Sequence, residues 1–155
     1  MQWRSKTIRG TVYDLSHLHP FRIEVRPKAE GAPSYPVQVT FGFHCFTREC
    51  EASDTPDLHM QHLRETRSFC PTRYELSKEL VGMIKYAANG PVYFGEKSNF
   101  LIVESMSQHN APYVAFFDIE PVKRTDSYAA AMFVTSALIS DRSYRTNFRR
   151  LVSQR

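Results

Sequence analysis

Apolar and polar residues alternate most regularly along "VQVTFGFHC", where Val37, Val39, Phe41, Phe43 and Cys45 fall on one face and Gln38, Thr40, Gly42 and His44 on the other. A period of two predicts a strand with one buried face. It also turns His44 away from the core to which Cys45 belongs. "FRIEVRP" alternates in the same way at Phe21, Ile23 and Val25, and "TIRGTVYDL" alternates around a break at Gly10, so both read as strands. Between them "SHLHP" is a connection closed by Pro20, and after Pro27 the polar "KAEGAPSYP" reads as a loop.

Beyond Arg48 the period is lost. Residues 48 to 70 hold Pro56, His59, His62 and several acids, and read as a long loop with a helical turn at "DLHMQHL". From Pro71 the spacing turns helical. Tyr74, Leu76, Leu80, Val81, Ile84 and Tyr86 approximate one face, Thr72 is a candidate N-cap with Glu75 three residues on, and Gly90 is a stop. This predicts one main helix over about 72–88. Strands return in "PVYFGE" and "NFLIVES", around a turn at Lys97 and Ser98, and in "PYVAFFDIEPV" and "YAAAMFVTSALIS", around "KRTDS". In the last segment "AAAM" favours a helix and Phe133, Val134 and Thr135 a strand; its neighbours decide for the strand. The sum is an α+β fold, one domain over residues 1–155, with a mostly antiparallel sheet, one main helix and a C-terminal strand meander.

Composition narrows the class. At 155 residues, 42% of them hydrophobic and 23% charged, the chain builds a core of its own, and neither wholesale disorder nor a fibrous repeat fits. The 11 Phe and 8 Tyr favour a sheet. No apolar run approaches the roughly 20 residues of a membrane-spanning helix, and "MQWRSKTIRG" lacks the apolar core of a signal peptide. The expectation is therefore a cytoplasmic protein with no membrane association, whose 3 Cys are free thiols. Net charge is +4, with cations gathered towards both ends and acids in the 48–65 stretch. Basic ends around an acidic middle suit a phosphate-bearing or acidic partner, and equally an ordinary solvated surface.

Four sets of residues offer chemistry. Cys45, Cys50, His59, His62 and Cys70 are zinc-type ligands close in sequence, but Cys-x4-Cys followed by His-x2-His matches zinc spacing poorly and reads more simply as a buried thiol and loop histidines. Cys45 or Cys70 would serve as a nucleophile only with a base at hand. Cys70 precedes the predicted helix beside Arg67 and Arg73, a setting that favours a thiolate. Metal-free acid–base cleavage of RNA needs a base for the 2′-OH, an acid for the leaving oxygen and cations for the phosphate. His44, with Thr47 beside it, Arg67, Arg73 and Tyr74, joined by Arg142 or Arg145, would supply those roles. Finally "RSYRTNFRR" interleaves Arg142, Arg145, Arg149 and Arg150 with Tyr144 and Phe148. That pattern suits single-stranded nucleic acid or a protein partner, and also a helix end packing Tyr144, Phe148 and Leu151 inward.

"HCFT" after an alternating strand, "RSFCPTRYELSKEL" opening a helix, and "YVAFFDIEP" followed by "MFVTSALISD" together resemble a set of small uncharacterised bacterial proteins from accessory and mobile-element gene neighbourhoods. The resemblance implies a toxin, a defence component or an antagonist of one. The ending of the chain is also similar to compact bacterial toxin ribonucleases, a likeness of fold alone. Two readings follow. One is a metal-independent, toxin-type ribonuclease with His44 as base and Arg67 and Arg73 holding phosphate, needing no cofactor. The other is a non-catalytic module that binds a protein partner or nucleic acid and regulates a defence or mobile-element system.

Overall fold

The computed structural model describes residues 1–26, 30–88, 93–94, 99–103, 112–123 and 127–139. The α+β expectation holds. Strand β1 (Lys6–Ile8) and strand β2 (Thr11–Tyr13) form an antiparallel hairpin, and the Gly10 break is its turn. Arg9 and Gly10 both have positive φ, 49° and 81°, as a two-residue turn matched to strand twist requires. A single 3₁₀ turn at Ser16–Leu18 leads to β3 (Phe21–Val25) and the ten-residue β4 (Tyr35–His44).

Residues 48–70, expected to be a long loop, fold instead into a second small sheet. Strand β5 (Thr47–Arg48) pairs with β7 (Glu65–Phe69), and β7 pairs with β6 (His59–His62). The signal was concealed because these strands are two to five residues long. Their inward groups are also polar: Thr47, Ser68 and Arg67 are all buried. The helical turn expected at "DLHMQHL" is a 3₁₀ turn at Pro56–Leu58 followed directly by β6.

The helical stretch divides into α1 (Pro71–Ser77) and α2 (Leu80–Ala87). Cys70, not Thr72, is the N-cap, and Pro71 takes the first helical position, where its missing N–H costs nothing. The break at Lys78–Glu79 rephases the apolar face, so that Met83 is buried beside Leu80 and Ile84 while Tyr86 is exposed. Gly90 and the Lys97–Ser98 turn lie outside the described residues.

Strands β8 (Tyr93–Phe94), β9 (Asn99–Val103), β10 (Tyr113–Pro121) and β11 (Ala130–Ile139) complete a six-stranded sheet in the order β3-β4-β11-β10-β9-β8. Every pairing is antiparallel except β11 with β4. One face of this sheet supplies Val37, Val39, Phe41, Phe117, Met132 and Val134 to a core shared with Leu80, Met83 and Ile84 of α2. By alternation, Thr40, Gly42 and His44 of β4 and Phe133 and Thr135 of β11 lie on the other. No helix of the described residues is long and apolar enough to cross a membrane.

Candidate functional site

At the end of β4 the chain turns sharply through Cys45 and Phe46, both without exposed surface, and starts the second sheet at Thr47. The N–H groups of Cys45 and Phe46 donate to the carbonyls of Gly42 and Phe43. The hydroxyl of Thr47 closes the turn by donating to Phe43 O at 2.6 Å. Passing from one sheet to the other in so few residues brings the last residue of β4 against the first of β7. His44 Nε2 stands 2.8 Å from Glu65 Oε1 and 3.0 Å from Oε2.

An imidazole N–H held by both oxygens of a carboxylate is fixed in orientation and tautomer. With Nε2–H donated to Glu65, the neutral ring carries its open lone pair on Nδ1. Glu65 is held ionised: the hydrogen bond from His44, seconded by Arg67, keeps its carboxyl below the usual range. The His44 side chain remains 35% exposed.

This pair opens into a groove of about 330 Å³ lined by Trp3, Gly42, Phe43, His62, Leu63 and Phe133 among others. Trp3 stacks on Phe43 at 6.0 Å and meets His62 edge-on at 5.1 Å. Its indole N–H donates to Phe41 O at 2.8 Å. Gly42 sets the floor. A Cβ there would lie 2.9 Å from the Phe133 ring and 3.0 Å from Thr135 O, so only glycine lets that ring lie across β4.

Of the described residues singled out from sequence as catalytic, His44 alone lines the groove. Arg67 is not a surface cation: its side chain is 10% exposed. Its Nε donates to Thr47 Oγ1 at 2.9 Å and its Nη1 to Glu65 Oε1 at 3.3 Å. Arg73 Nη1 donates to the carbonyls of Thr47 at 2.8 Å and His44 at 3.2 Å. Both guanidiniums thus brace the turn behind His44; for Arg67 all three nitrogens are engaged within the protein, by Thr47 and Glu65. Tyr74 is buried elsewhere, packed on Tyr13 and Phe69 with the Lys78 ammonium over its ring. Arg142, Arg145, Arg149 and Arg150 lie outside the described residues.

The thiols and histidines of the metal-type set are not gathered. Cys45 is enclosed, its Sγ donating to Val134 O, and burial pushes its pKa up to about 12. Cys50 is exposed. Among the described residues no three His, Cys, Asp or Glu are grouped to hold a metal ion. Sequence reading missed Glu65, Trp3, Leu63 and Phe133, and offered His62 only as a zinc-type ligand. Glu65 and His62 lay in the supposed loop, and had "HLRE" been read as a two-residue hairpin turn, both would have been placed near a strand end.

A protein-family model described as the YjaZ family matches residues 5–155. No curated protein and no solved structure matches the chain.

Proposed function

The chain belongs to the YjaZ family, and we propose that it is a small cytoplasmic protein that cleaves single-stranded RNA by metal-independent acid–base catalysis, with His44 as the base. The observation that carries this reading is the His44–Glu65 pair opening into an aromatic-lined groove. In the proposed reaction His44 Nδ1 takes the proton of a ribose 2′-OH. The O2′ so released attacks the adjacent phosphorus, the P–O5′ bond breaks, and the leaving oxygen takes a proton from an acid. His62, on the same groove, is the candidate acid. The products are a 2′,3′-cyclic phosphate and a 5′-hydroxyl. Glu65 orients His44 and stabilises its protonated form, and Arg67 holds Glu65 in place. Each proton transfer of this kind contributes about 10²–10⁴-fold to rate.

The test is expression of the chain in bacteria beside His44→Ala and Glu65→Gln, with total RNA examined. Growth arrest and cleaved RNA in the wild type, lost in His44→Ala and reduced in Glu65→Gln with both variants folded, support the reading. Normal growth and intact RNA refute it.

One observation favours a second reading, a non-catalytic module for a protein or nucleic-acid partner in a defence or mobile-element system. Every nitrogen of the Arg67 guanidinium is bonded within the protein, so Arg67 presents no free donor nitrogen to a scissile phosphate. On that reading the wild type is harmless, His44→Ala keeps its partner, and charge reversal at Arg145 and Arg149 loses it.

A further inference from the structure

Strands β6 and β7 are joined through two residues, Leu63 and Arg64, with His62 paired to Glu65. Leu63 has φ 54°, a left-handed conformation that a two-residue hairpin turn demands and that Gly, Asn or Asp adopts readily. A leucine there costs about 1–2 kcal/mol. The residue is also 84% exposed, so little packing among the described residues repays the strain. Strained and exposed apolar residues of this kind are characteristic of functional positions. Leu63 stands on the lip of the groove, directly between the two groove residues His62 and Glu65. Phe133 lines the same groove from β11, 42% exposed and able to lie there because Gly42 has no side chain.

The groove thus has apolar lips and a carboxylate inside. The carboxylate accepts N–H donors, as carboxylates do from amino-bearing base edges. A volume of about 330 Å³ admits a small ligand or one heterocycle of a longer strand. We propose that Leu63 and Phe133 are a clamp that holds one unpaired, amino-bearing nucleobase of a single-stranded substrate over the His44–Glu65 pair. This rests on the reading of the groove as an RNA site for the strand to which the base belongs. It adds the residues that hold the base.

The chain has 1 Trp, and Trp3 lines the groove, so its fluorescence reports occupancy. The probe is a short single-stranded oligodeoxyadenylate, which lacks the 2′-OH and is bound without being cleaved; an abasic oligomer of the same length is the control. The clamp predicts a saturable fluorescence change with the first and none with the second. Leu63→Gly and Phe133→Ala each weaken binding about fivefold to a hundredfold, the range for loss of a base-stacking side chain. Leu63→Gly also melts no lower than the wild type, since glycine relieves the turn.

Equal binding of the abasic oligomer, wild-type affinity in either variant, or a lowered melting temperature in Leu63→Gly overturns the clamp. The two proposals fail separately. Clamp-dependent binding without RNA cleavage upholds the clamp and removes the ribonuclease, whereas RNA cleavage with unchanged affinity in Leu63→Gly does the reverse.

Discussion

Substitution of Gly42 by alanine probes the contact on which the groove floor depends. The new methyl would lie 2.9 Å from Phe133 Cζ, 3.0 Å from Thr135 O and 3.4 Å from Val134 O. The first contact is with the far end of a partly exposed ring, which swings aside at about 0.5–1.5 kcal/mol for an off-rotamer side chain. The second is with the backbone of the parallel neighbour, which has to retreat by a few tenths of an ångström while keeping its ladder. Overpacking of this sort costs about 1–3 kcal/mol. Alanine also removes freedom from the unfolded chain, contributing about 0.4–1 kcal/mol in the other direction. The net expectation is a loss of about 1–2 kcal/mol, read as a lower urea midpoint with unchanged slope. Trp3, bonded to the carbonyl one residue before Gly42, is the fluorescent probe. Phe133→Ala in the Gly42→Ala background restores the part due to the ring, a coupling of about 1 kcal/mol in a double-mutant cycle. A Gly42→Ala protein as stable as the wild type, or more so, refutes the reasoning.

Other consequences concern charge and thiols. Arg67→Ala removes the buried guanidinium that bridges Thr47 and Glu65 and is expected to cost about 2–4 kcal/mol in urea unfolding; Arg67→Lys recovers little, since one ammonium does not span both partners. Stability falls with acid in two stages. His17 is lowered by burial, so the unfolded chain takes up its proton first and stability declines as pH drops below about 6.5; urea midpoints measured across pH 8 to 5 check this, and His17→Gln flattens them. Asp54, held well below the usual range by Arg48, the Glu51 N–H and Ser68, and Glu65, lowered by His44, are ionised in the folded state where the unfolded chain is protonated. Their contribution is intact above about pH 4 and lost as pH falls further, so the midpoint drops more steeply there, and less so in Asp54→Asn. Alkylation of the native protein at pH 8 labels Cys50 and spares Cys45 until denaturant is added, as peptide mapping will show.

Legibility in the sequence followed strand length. β4, β10 and β11 are nine or ten residues long, enough for their patterns to stand out, and β11 formed despite "AAAM" because its pairing with β4 and β10 outweighs local propensity. Strands β5, β6 and β7 are too short to show a period, and they bury polar groups held by hydrogen bonds across the fold. Ser68 with Asp54, and Arg67 with Thr47, are held together by hydrogen bonds between residues 14 and 20 positions apart, which a short window of residues does not display. The site divided along the same line. His44 was visible because alternation put it opposite Cys45, while Glu65, its partner, lay 21 positions away in a stretch read as a loop. The internal bonds of Arg67 were not legible, because a sequence shows a cation's charge and not the groups that occupy it.

The most direct test of the central claim uses purified protein and a labelled single-stranded RNA in the presence of chelator, comparing wild type with a folded His44→Ala. The proposed acid–base mechanism yields fragments ending in a 2′,3′-cyclic phosphate, formed at a rate that falls at least about 10²-fold in His44→Ala. RNA that stays intact with the wild type, or is cut equally by both proteins, contradicts it.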